Sequence, residues 1–158
     1  MKLVSNASPI IFLSKLNAAN LLTDCFESIF IPEAVQSELG NLAIPSSIQT
    51  QNISPSGQHF VEGAIGRLHQ GELEAMVLAM EIKADYVLLD DLLARRKAHR
   101  LGLQVMGTIG VILLAHRQNR ITEKNALDWL DQLVHHHGLY LSAEMIMRIK
   151  NDILNYRV

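Results

Sequence analysis

A chain of 158 residues with 49% hydrophobic and 19% charged side chains can bury a real core and is too apolar to be disordered. Its net charge of −2 excludes an overall basic field, so any nucleic-acid binding has to come from a local patch. A single cysteine, Cys25, excludes an intrachain disulfide and suits a reducing cytoplasm. The start MKLVSNASPIIFLSKL reads as lacking the n-region and cleavage site of a secretory signal. The longest apolar stretch, Val105 to Ala115, is too short to span a bilayer, so no membrane role is expected.

In chain order, Lys2 to Ser5 predicts a short strand and Asn6 to Ser8 a turn. Pro9 suits the first position of a helix that runs through Leu16. A short helix around Ala18 to Thr23 leads to the β-branched and aromatic strand SIFIP. PEAVQSELG reads as a helix, and Asn41 to Gly57 as a loop holding an edge strand near Ile48 to Ile53. A helix is then expected through Leu68. In GELEAMVLAMEIKA, Leu73, Met76, Val77 and Met80 follow the i, i+3, i+4, i+7 spacing of one helical face. DYVLLDD predicts a buried strand ending in two acids, LLARRKAHRLG a helix, LQVMG a strand and TIGVILLAHRQN a helix. Helices over Glu123 to His136 and Ser142 to Tyr156 complete one domain spanning 1–158.

Strands alternating with helices predict a mostly parallel sheet covered on both faces, an α/β/α sandwich. Ligands in such sheets bind beyond the carboxyl ends of the strands, where Asn6, Asp90 and Asp91 fall. Glu38 and Glu72 lie on adjoining helices. Each acid alone also reads as a helix cap, but the set points to a cation site, because gathered carboxylates repel one another until a metal joins them. Magnesium takes oxygen ligands from one or two carboxylates plus phosphates and water. On the GELEA helix, Glu72 and Glu74 flank opposite edges of the apolar stripe. One is expected to face the cleft and the other solvent; spacing leaves open which.

SNASPIIFLSKL, PEAVQSELG, the run from LHQGELEA through LDDLLARR to GTIGVILLA, and GLYLS together resemble a PIN-domain protein. The nearest likeness is to the prokaryotic PIN-like branch related to VapC-type toxins. The resemblance implies an α/β/α sandwich and a Mg2+- or Mn2+-dependent ribonuclease acting on single-stranded RNA. It also implies a small antitoxin partner and a homodimer. Carried over residue by residue, it places metal ligands at Asn6, Glu38, Glu72 and Asp91. Glu38, Glu72, Asp90 and Asp91 become the catalytic acids, and Ser8, the small hydroxyl residue that follows the first ligand, a candidate RNA contact. Residue 6 departs from the family pattern, which has Asp there. An Asn carbonyl ligates a cation without adding charge, so a PIN-fold binding module with weakened nuclease activity is the competing reading.

The remaining motifs read more plainly. Arg95 and Arg96, in the basic run that follows the two aspartates, are candidate RNA contacts beside an ordinary solvated helix face. His135, His136 and His137 are about 100° apart in a helix, cannot share one ion, and suit a helix end before Gly138. GTIG lacks a phosphate-loop lysine and predicts a tight, closely packed turn.

Overall fold

The computed structural model describes residues 1–156, so the expected single unit over 1–158 extends two positions beyond the described residues. Strand β1 (Lys2–Ser5) leads into helices α1 (Ala7–Lys15) and α2 (Leu21–Cys25). Strand β2 (Ser28–Ile31) leads into α3 (Glu33–Leu39), and β3 (Ile48–Thr50) into α4 (Pro55–Ala64) and α5 (Gln70–Glu81). Strand β4 (Tyr86–Leu88) precedes α6 (Leu92–Arg100). Strand β5 (Val105–Met106) precedes α7 (Thr108–Arg117), α8 (Glu123–His135) and α9 (Ala143–Asn155).

The five strands form one parallel sheet in the order β3-β2-β1-β4-β5. Central β1 pairs Val4 with Phe30 on one side and Val87 on the other. Consecutive side chains point to opposite faces of a strand. Leu3 accordingly joins a core with Ile10, Leu22, Ile112 and Leu130, from the layer of α1, α2 and α7 to α9. Val4 joins a second core with Leu73, Met76 and Ala94, from α5 and α6. Helices thus cover both faces of the sheet, the α/β/α sandwich expected from the sequence. Among the described residues no helix is long and apolar enough to cross a membrane.

Several local boundaries differ from the sequence reading. Helix α1 begins at Ala7, two residues before Pro9, with Asn6 as its N-cap. Pro9 fits there because the first-turn N–H groups have no intrahelical partner. Helix α4 stops at Ala64 and not at Leu68, where Gly63 and Gly66 weaken helix formation. The edge strand is confined to Ile48–Thr50. Helix α5 is buried almost throughout, from Gly71 to Ala79, because it packs on α3 and α4 as well as on β1. The histidine run ends α8, where Gly138 at φ 76° and the bond from Leu139 N–H to Leu133 O close the helix.

Candidate active site

Leaving β1, the chain turns to one side of the sheet to build β2 and β3, then returns to place β4 and β5 on the other side. The crevice between the carboxyl ends of β1 and β4 is therefore the topological switch point, where such sheets bind ligands. Asn6 follows β1 there, and its N–H donates to Leu88 O of β4 at 3.0 Å. Asp91 follows β4 as the N-cap of α6, with Oδ2 accepting from Ala94 N at 2.9 Å.

Two helices complete the crevice. Gly71, in the first turn of α5, lets Glu38 of α3 and Asn6 come close. A Cβ added at Gly71 would lie 2.9 Å from Glu38 Oε1 and 3.4 Å from Asn6 Oδ1. Asn6 is only 5% exposed, and its Oδ1 is buried without a hydrogen-bond partner. An unsatisfied buried carbonyl oxygen carries a desolvation cost that a cation or donor would offset. Glu72, one residue after Gly71, is 8% exposed and accepts from His69 N at 3.1 Å. Burial pushes the Glu72 carboxyl above its usual range and the charges of Asp91 and Glu38 push the same way, while the His69 N–H opposes them. Asn6 and Glu38 thus meet at Gly71, and Asp91 and Glu38 lie near enough for their charges to act on Glu72 at the N-terminal end of α5.

That crevice is not a closed cage. Among the described residues, no group of three or more His, Cys, Asp or Glu side chains stands ready to enclose an ion. The donor set still fits magnesium or manganese: oxygen atoms only, one of them orphaned, and such ions complete their shell with water and phosphate oxygens.

Asp90 and Asp91 are adjacent but differently engaged. Asp90 Oδ1 accepts from Thr108 N at 2.8 Å, and Oδ2 accepts from Thr108 Oγ1 at 2.6 Å. Burial raises its pKa, against the lowering effect of those bonds and of the Arg95 charge. Gly107 makes the corner possible, since a Cβ there would stand 2.6 Å from Arg95 Nη1 and 3.0 Å from Asp90 Oδ1. The GTIG turn is closely packed, as its composition suggested.

Glu74 requires a correction. Neither glutamate of the pair is solvated: Glu74 is 2% exposed, accepting from Ala34 N at 3.3 Å and Gln70 Nε2 at 2.7 Å. An apolar stripe does not reveal this, because α3 and α4 cover the face of α5 that would otherwise meet water. Arg95 donates to Leu89 O at 3.1 Å and is partly buried, whereas Arg96 and Ser8 are exposed. Gly71, Thr108 and Gln70 had no place in the sequence reading. A glycine inside a helical pattern was the available signal for the first; Thr108 and Gln70 had none.

The sheet and its covering helices define an α/β/α sandwich, and the comparisons make the class particular. The family described as DUF3368: PIN domain matches residues 2–153, and the chain belongs to that family. PIN domains are generally nucleases and typically use divalent metals. Among solved structures, the chain is similar to a PilT N-terminus domain protein, SSO1118, from the hyperthermophilic archaeon Sulfolobus solfataricus P2. The two share 21% identity and a TM-score of 0.52 over 70% of this chain and 90% of that one. At that identity the likeness concerns the fold. No curated protein matches the chain.

Proposed function

We propose that this chain is a Mg2+- or Mn2+-dependent endoribonuclease for single-stranded RNA, the toxin component of a toxin–antitoxin pair. The observation that carries the nuclease reading is the orphaned Asn6 Oδ1 facing the Gly71 gap beside Glu38, with Glu72 and Asp91 nearby. Asn6, Glu38, Glu72 and Asp91 would hold the ion, which when bound acidifies water and offsets charge on a phosphodiester. The chain's own residues do the positioning. Asp91 is held by its cap bond, Glu72 is braced by His69, and the exposed Glu38 reaches Gly71 from α3. Asp90 holds α7 in place behind them. Arg96, on the open face of α6, would meet the RNA backbone. The antitoxin partner and the homodimer belong to this reading through the family resemblance, and a cytoplasmic location through the single Cys25.

The neutral Asn6 favours a second reading, a PIN-fold module that binds RNA or protein with little cleavage. Calorimetric titration with Mn2+ and a single-stranded RNA cleavage assay separate the two. Glu38→Gln and Asp91→Asn should each abolish Mn2+-dependent cleavage without unfolding the protein. Glu38 is exposed, and Asn caps a helix as well as Asp does. Cleavage by both variants at the parental rate would remove the site, and a parent that binds RNA without cutting it would favour the module.

A further inference from the structure

Beside the crevice, α3, α4 and the start of α5 enclose an open cleft of about 640 Å³, lined among others by Glu33, Ser37, Glu38, Gln58, Gln70 and Glu74. Glu38 belongs to both places, so the cleft is continuous with the metal crevice. Glu33, Glu38 and Glu74 line the cleft and no Lys or Arg does, so phosphate is unwelcome there and a group presenting N–H donors is favoured.

One contact chain in the cleft is built. The Ala34 N–H donates to Glu74 Oε1, and Gln70 Nε2 donates to Glu74 Oε2. A carboxylate only accepts hydrogen bonds, so it fixes the orientation of the glutamine amide and leaves Gln70 Oε1 as an oriented acceptor. A nearly buried carboxylate therefore determines how an exposed glutamine presents its oxygen.

We infer that this cleft seats the nucleobase next to the scissile phosphate, and that Gln70, oriented by Glu74, accepts a hydrogen bond from that base's edge. The inference rests on the nuclease reading. Acceptors on the cleft wall favour guanine, whose N1–H and amino group are adjacent donors, and disfavour uracil, whose single N–H is flanked by carbonyl oxygens. Gln70 touches the base; Glu74 is a positioning residue acting through it.

Two measurements test this, the cleavage in Mn2+ and the binding in diamagnetic Mg2+. The first compares cleavage of oligonucleotides that differ by G or U beside the cut. The second compares binding of 5′-GMP and 5′-UMP by NMR titration. The parent should favour guanine in both, and Gln70→Ala should reduce the preference about tenfold, the scale of one lost hydrogen bond. Glu74→Gln should relax the preference in the same direction, and the double variant should lose little more. A melting-point loss in Glu74→Gln with the guanine preference intact would make Glu74 a brace for α3 alone and overturn its positioning role. Cleavage without base preference, or a preference indifferent to Gln70→Ala, would overturn the seat. Guanine-selective, Gln70-dependent binding without cleavage would keep the seat and remove the nuclease reading. Neither binding nor cleavage would remove both.

Discussion

Two corners of the sheet's carboxyl edge carry acids of similar origin in opposite states. Between β4 and β5, Asp90 has both oxygens satisfied by Thr108, and Arg95 lies alongside. Between β1 and β4, Asn6 has an oxygen with no partner, and burial, with the charges of Asp91 and Glu38, raises the pKa of Glu72. The first corner is complete within the chain and the second requires something from outside. The two corners differ in satisfied hydrogen-bonding capacity rather than in the number of acids. Asp90→Ala probes that difference with the largest expected effect. It leaves the buried Thr108 N–H and hydroxyl without an acceptor and removes the negative charge beside Arg95, and should lower stability by about 2–3 kcal/mol. Asp91→Ala should cost about 1 kcal/mol, the scale of a lost helix cap. Chemical denaturation measures both, and equal losses would erase the distinction between the corners.

The sequence showed the sheet, its crossovers and the acids at the strand ends, because alternating strand and helix patterns and terminal acids are local signals. It did not separate Asp90 from Asp91, since that depends on Thr108 arriving from a strand-to-helix turn 18 residues later. Nor did it place Glu74, whose Ala34 partner lies 40 residues earlier in the chain. Helix α5 misled most, because its single apolar stripe implied a solvated back. The α3 and α4 contacts that bury it come from segments whose packing no local pattern encodes.

Asn6→Asp sharpens the comparison from the open corner. The added charge joins Glu38, Glu72 and Asp91, so the metal-free protein should melt lower. Mn2+ should then raise the melting temperature more in the variant than in the parent. The extra attraction is on the order of one kcal/mol for unit charges in a partly wet site, and a ligand bound only by the folded state stabilises by mass action. Scanning calorimetry with and without Mn2+ reads the difference directly. Equal shifts would mean that residue 6 does not face the ion.

The smallest effect is expected at Glu72, and it carries a definite pH signature in metal-free buffer. Its folded pKa lies above the ordinary glutamate value of 4.5 because of burial and of Asp91 and Glu38. The folded protein therefore holds the proton more tightly than the unfolded chain does. Below pH 4.5 the group is neutral in both states and its contribution to stability is complete. As pH rises toward and through the raised folded value, the unfolded chain ionises more readily and that contribution is lost. Glu72→Gln removes this dependence while keeping an oxygen that can accept from the His69 N–H, as glutamine does at the third position of a helix. In EDTA the variant should therefore match the parent at pH 4 and exceed it slightly at pH 7. With Mn2+ at pH 7 the order should reverse, because the ion favours the charged carboxylate that the parent retains. Thermal melts at the two pH values, with and without Mn2+, test both halves. A variant less stable than the parent at pH 7 in EDTA would show that Glu72 supports the fold and is not held at its expense.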